Sequence, residues 1–269
     1  MEVSELNSAL SFQIYHPKGA LARWVQAIWS ARVAKPCENY VKKLLYSDAC
    51  SGLIFVLQGE VIIGENHLTQ GGYFLPNSQQ AQTISMLPGA QLAGLRLHPA
   101  VGFSFWQKNF SIPTPLEGLP DQLPRLKQLQ SQLQLHSGHY AKIRAVFLYL
   151  QRYVQEVSGL PEGLSMALSQ IKQDTSLQHV SIKANVGQRQ LERQFKRWLS
   201  ITPKQCQRVF RVAGAIRNIQ NNLNESLANI AIDSGFSDQA HMTREFKQIA
   251  SISPQSYRLQ QIKKQQIDC

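Results

Sequence analysis

The sequence predicts an α+β protein in two parts: a β-rich N-terminal domain over residues 1–160 and an all-α domain of seven helices over residues 161–269. Three observations predict it. Short apolar runs punctuated by Gly and Pro fill the chain from about Ala20 to Leu97. Beyond Leu123 the apolar spacing changes to three and four, the period of a helix. The last hundred residues repeat themselves at an interval of 50 to 51.

In order along the chain, LIFVLQ (Leu53 to Gln58) and EVIIG (Glu60 to Gly64) flank a Gly turn. Gly71 to Pro76 and Leu92 to His98 follow as further short strands, a spacing that suits a small barrel or sandwich. Leu123, Leu126, Leu129 and Leu133, then Ile143, Val146, Phe147, Leu150, Tyr153, Val154 and Val157, predict two helices that close this domain. Ser158-Gly159-Leu160-Pro161-Glu162-Gly163 marks the boundary. Beyond it, helices are expected at 164–173, 177–185, 188–199, 204–221, 226–233, 238–249 and 255–265.

The 269 residues are 43% hydrophobic, ample for real cores, and carry a formal net charge of +11. The excess is uneven: residues 1–160 hold 13 Lys or Arg against 9 Asp or Glu, and residues 161–269 hold 15 against 8. The C-terminal part is the more basic, and a polyanion, either nucleic acid or an anionic membrane surface, is the expected partner of so basic a chain. The most apolar stretch, Leu53 to Ile63, is interrupted by Gln58, Gly59 and Glu60, too short to span a bilayer. The N-terminal MEVSELNSAL lacks the pattern of an export leader. Cys37, Cys50, Cys206 and Cys269 form no CxxC pair. A reduced, cytoplasmic protein is expected.

In the repeat, Val180-Ser181 matches Ile230-Ala231, Val186 matches Phe236, Phe195-Lys196 matches Phe246-Lys247, and Pro203 matches Pro254. Each copy reads as a short helix, a turn, a second helix and a Ser/Thr-x-Pro stop, the form of a helix-turn-helix. The step from 50 to 51 predicts one extra residue in the second helix of copy two. Helical geometry turns Leu191, Phe195 and Trp198 inward in copy one, and Met242, Phe246 and Ile249 inward in copy two. Arg189, Glu192, Arg193 and Lys196, then Ala240, Thr243, Arg244 and Lys247, are left facing outward. Arg can read guanine edges bidentately and Lys can neutralise phosphate. One such helix alone reads first as a solvated basic face; two copies at fixed spacing favour the major groove.

Ile230 to Arg258 resembles the second helix-turn-helix signature of the AraC/XylS family of transcriptional regulators. Ile230-Ala231, Gly235-Phe236-Ser237, Phe246-Lys247, Ser253-Pro254 and Tyr257-Arg258 carry the resemblance, and copy one repeats it more loosely at Leu191, Arg193, Phe195-Lys196 and Pro203. Arg211 and Ala215 fit the family's linker helix. The resemblance implies base contacts from Arg189, Glu192, Arg193, Ala240 and Arg244, with Lys196, Thr243 and Lys247 on phosphates. It implies double-stranded promoter DNA and RNA polymerase as partners, and activation as the sign of regulation. More weakly, Leu21 to Trp29, Leu53 to Gly64 and Gly94 to Pro99 are similar to the family's cupin-like N-terminal domain, which implies an effector-binding or dimerisation role.

No cofactor, metal or catalytic residue is expected. His16, His67 and His98 are scattered, without the HxH of a metal-binding cupin. His241 on the second reading helix is open to DNA approach or to helix packing. Cys37 and Cys50 are open to a redox pairing, with free thiols as the default. Phe55, Ile62, Phe74 and Leu95 would serve either a hydrophobic effector or a plain core. Two other functions stay open at this stage: a ligand-binding or catalytic barrel with a secondary DNA module, and a non-specific architectural DNA-binding protein.

Overall fold

The apolar run at Leu53–Leu57 is continuous because both faces of its strand are covered. In the computed structural model, which describes residues 9–35, 40–119, 125–153, 159–173 and 176–267, ten strands form two antiparallel sheets. They are β1 (Leu10–Tyr15), β2 (Val25–Val33), β3 (Val41–Leu45), β4 (Gly52–Gln58), β5 (Val61–Ile63), β6 (Asn66–Leu68), β7 (Gly71–Leu75), β8 (Gln82–Met86), β9 (Gln91–Leu97) and β10 (Thr114–Pro115). One sheet has the order β1-β2-β9-β4-β7-β10 and the other β3-β8-β5-β6. Ile54, Val56 and Leu92 of the larger sheet pack against Val41, Val61, Ile63 and Met86 of the smaller. On the opposite face of β4, Leu53 and Phe55 pack with Leu95 beneath helices α1 (Val101–Trp106), α2 (Leu126–Leu135) and α3 (His139–Tyr153). Each such side chain contributes about 1.5–3 kcal/mol by burial.

This arrangement separates the four residues considered for an effector. Phe55, Phe74 and Leu95 belong to the cluster under the helices, whereas Ile62 is half-buried on the other sheet. They line no common space. The expected start of the strands at Ala20 is also too late, because β1 precedes it. Only β2 flanks β1, and most of its residues are exposed, so it lacks the long apolar run of a central strand. Helix α1 was not expected either; all six of its residues are buried, so it shows no amphipathic period. Gly59 makes the β4–β5 turn at φ +75, a conformation that favours glycine.

The chain divides into two units, Met1–Leu45, Cys50–Asn77 and Gln82–Leu160 in the first, and Tyr46–Ala49, Ser78–Ala81 and Pro161–Cys269 in the second. The second unit contains seven helices among the described residues: α4 (Glu162–Lys172), α5 (Leu177–Lys183), α6 (Gln188–Leu199), α7 (Pro203–Asn221), α8 (Leu227–Asp233), α9 (Gln239–Ala250) and α10 (Pro254–Ile267). Helix α7 packs against α4, α6, α8, α9 and α10, burying Cys206, Val209, Val212, Ile216 and Ile219. Pro120, Leu123, Pro124, Val154, Val157, Ser158, Cys37 and Cys269 lie outside the described residues. The Cys37–Cys50 pairing left open above therefore involves a residue outside them.

Candidate nucleic-acid interface

Each copy of the repeat builds the same local geometry. Ser176 caps α5 by accepting from His179 N at 3.3 Å, and Ser226 caps α8 by accepting from Asn229 N at 3.0 Å. Val180 and Ile230 are buried. The turn closes with Val186 N donating to Ser181 O and Phe236 N donating to Ala231 O. Its left-handed position is Asn185 in copy one (φ 50) and Gly235 in copy two (φ 80), the two residue types that most readily accept it.

The second helices are equal in length, Gln188–Leu199 and Gln239–Ala250, at 12 residues each. The extra residue of copy two is thus in the turn and not in the helix, contrary to the periodicity reading. Copy one enters α6 directly after Val186 through Gly187, whereas copy two inserts Ser237 before its cap, Asp238. Both helices end on a left-handed serine, Ser200 and Ser251, each at φ 59. The Ser/Thr-x-Pro segments are helix starts. Thr202 forms a capping box with Gln205 ahead of Pro203, and Ser253 Oγ accepts from Ser256 N at 3.0 Å.

On the inner faces, Leu191, Phe195 and Leu199 are buried in copy one, and Met242, Phe246, Ile249 and Ala250 in copy two. Trp198, expected inside, is only half-buried, with Leu199 taking the inner position. Arg189, Glu192, Arg193 and Lys196 are exposed on α6, as are Ala240, Arg244 and Lys247 on α9. Lys196 Nζ lies 3.4 Å from Ser200 O, where a cation complements the helix C-terminus. Thr243 is half-buried, and its hydroxyl donates to Gln239 O at 2.8 Å. His241 has both ring nitrogens engaged within its own copy: Nδ1 is 3.1 Å from Ser237 Oγ, and Nε2 is 3.4 Å from Glu245 Oε1. Those contacts favour the packing role.

Three residues that sequence spacing did not single out for this role hold α9 in place. Glu245 is buried on α9, with Oε1 accepting from Arg208 Nε at 2.8 Å and Oε2 accepting from Arg211 Nη2 at 3.4 Å. Arg208 also donates to Gln248 Oε1, and the Arg211 guanidinium lies 5.6 Å from the centre of the Phe236 ring. Asn218 Nδ2 adds a bond to Ser234 Oγ at 3.0 Å. Arg208 and Arg211 are three apart, hence on one face of α7, and that was the available signal; their partner is 34 to 37 residues away. Asp238 accepts from His241 N at 2.6 Å, and this bond holds its carboxyl below the usual carboxylate range. Burial pushes the Cys206 thiol up and Tyr257 up to about 12, so neither ionises in the core.

His16 Nδ1 and His98 Nε2 are each bonded to a backbone carbonyl, of Gln26 and Ala22. Among the described residues, no three His, Cys, Asp or Glu side chains are grouped to hold a metal ion, and no helix is long and apolar enough to cross a membrane.

Residues 180–260 match the family described as a helix-turn-helix domain. No curated protein matches the chain. Among solved structures, the chain is similar to ToxT from Vibrio cholerae bound to (E)-4-(8-methylnaphthalen-1-yl)but-3-enoic acid, at 11% identity and a TM-score of 0.50 over 94% of this chain and 99% of that one. It is also similar to a transcriptional regulator of Chromobacterium violaceum described by its AraC-type DNA-binding domain, at 26% identity and a TM-score of 0.35 over 37% of this chain and 91% of that one. The cupin domain of Schizosaccharomyces pombe Cnp3 is matched at 13% identity and a TM-score of 0.26, over 35% of this chain and 68% of that one. With its paired turns, paired caps and paired outward faces, the region at 180–260 is an AraC-type helix-turn-helix domain, and the chain is a DNA-binding transcriptional regulator.

Proposed function

We propose that this regulator reads two consecutive major-groove segments of promoter DNA with α6 and α9. The observation that carries this reading is the duplicated geometry itself: two 12-residue helices, each presented by the same turn, both packed on α7. Helix α7 has 19 residues and so is about 28 Å long, of the order of one turn of B-DNA. Arg189, Glu192 and Arg193 address bases from copy one. Ala240 and Arg244 do so from copy two, Ala240 by apolar contact alone. Lys196, Thr243 and Lys247 meet phosphates, Thr243 after its hydroxyl turns from the Gln239 carbonyl.

Residues 1–160 act as the effector-binding or dimerisation domain and residues 161–269 as the DNA-binding domain. The protein works in the cytoplasm by binding and not by catalysis, and activates transcription through RNA polymerase. Selection of genomic fragments by the full-length protein, beside Arg193→Ala/Arg244→Ala, tests this. A few promoter regions should be recovered by the wild type and lost in the double variant. Random recovery by both, lost steeply as salt rises, would point to the architectural role instead.

A further inference from the structure

The first unit holds a separate concentration of charge. Lys142 lies on α3 with 2% of its surface exposed, and Nζ donates to Gln91 Oε1 at 2.7 Å. That neutral amide oxygen is its one hydrogen-bond partner among the described residues. An ammonium has three donors, and burying its charge costs far more than one neutral bond returns.

The surroundings add charge of the same sign. The registers Ser11↔Arg32, Arg32↔Gln91 and Gln91↔Gln58 place four polar residues in one row across β1, β2, β9 and β4, and cross-strand partners share a face. Helix α3 packs on β1, β2 and β9. His139 Nε2 lies 2.9 Å from Ser11 Oγ, and its Nδ1 is buried. Burial, and then the Arg32 charge, lower the Lys142 pKa; burial, Lys142 and Arg32 lower that of His139 against a raising bond to Ser30. Among the described residues no carboxylate pairs with any of the three. The first turn of α3 contains no acid either, so the positive end of the helix adds to the field.

We propose that Lys142, Arg32 and His139 form a receptor for a small oxyanion, a carboxylate or a phosphate, between the first turn of α3 and the polar row of the sheet. Arg32 supplies a planar fork from the exposed rim. Lys142 supplies its remaining N–H groups from the buried floor, and His139 closes the side. Gln91, bonded to Gln58 by Nε2 at 2.8 Å, holds the ammonium in place. This site lies within the first unit and does not depend on how the helix-turn-helix copies read DNA.

The test is the Tm of the full chain in sodium phosphate and, separately, in sodium acetate, each against sodium chloride at equal ionic strength. One anion or both should raise Tm by about 4 °C or more beyond chloride at saturation. Lys142→Met should abolish the rise, its own Tm in chloride reporting that it folds. Arg32→Gln, at an exposed position, should move half-saturation about tenfold higher through loss of a charge-assisted bond. A rise with phosphate alone assigns phosphate, and one with acetate alone assigns a carboxylate. No anion-specific rise in the wild type, or a rise undiminished in both variants, would overturn the proposal.

Discussion

The two helix-turn-helix copies reach one backbone geometry by different chemistry. Copy one carries four basic side chains on α6 (Arg189, Arg193, Lys196 and Arg197), a glycine N-cap and a half-buried Gln194 whose Oε1 has no partner. Copy two carries two on α9 (Arg244 and Lys247), an aspartate cap, and at the position of Gln194 a buried Glu245 that gathers Arg208, Arg211 and His241. Basic charge is therefore concentrated in copy one and ion-paired support in copy two. A repeat of this kind tolerates exchange of its polar supports as long as the buried positions and the left-handed turn residues keep their type.

The largest expected effect breaks that division. Glu245→Ala removes the carboxylate that Arg208 and Arg211 share and should cost about 2–3 kcal/mol in denaturant unfolding. Gln194→Ala, which loses no bond, should cost no more than about 0.5 kcal/mol; equal losses would erase the contrast. On DNA, Arg193→Ala and Arg244→Ala should each cost about 1–3 kcal/mol and relax preference at one base pair, while Lys196→Ala and Lys247→Ala should each lower the salt slope by about one unit. Uniform weakening by Arg193→Ala on every sequence would make copy one a phosphate anchor.

Smaller effects sharpen the comparison. Ser200→Gly and Ser251→Gly relieve equal left-handed strain, and each should stabilise the domain by about 0.5–1 kcal/mol. Gly187→Asp has open space for its side chain and should add a few tenths of a kcal/mol. The lowered pKa of Asp238 means that its cap is fully present above the unfolded value of about 4 and is lost as pH falls through the folded one. The Gly187→Asp variant should give copy one the same sensitivity, read as Tm against pH between about 5 and 2.

Much of this domain was legible beforehand because helices are local. The apolar spacing at Leu191 and Phe195, and again at Met242 and Phe246, is set by 3.6 residues per turn. Turn chemistry at Asn185 and Gly235 depends on a single dihedral. The placement of the extra residue was misjudged because periodicity counts residues without showing where the backbone leaves the helix; Ser237 lies on the turn side of the Asp238 cap. Trp198 and Leu199 were exchanged for a related reason: adjacent positions at the edge of a stripe differ only in which neighbour covers them. In the first unit, strands β1, β3 and β8 escaped notice because each lies in a partly exposed setting, β1 at a sheet edge beside β2, and β3 and β8 paired with each other across a long stretch of chain.

By itself the sequence determined the two-part organisation, the helix-turn-helix repeat, and which side chains of α6 and α9 face away from the core. These follow from interactions within a turn or two of helix, where spacing along the chain is distance in space. Only the tertiary structure decided that Glu245 meets Arg208 and Arg211, that both faces of β4 are covered, with Phe55 under the helices and Ile54 against the smaller sheet, and that Lys142 comes to rest beside Arg32. In each case the partners are brought together by the fold and not by the local backbone, and charge or burial acquires its meaning only once they are neighbours.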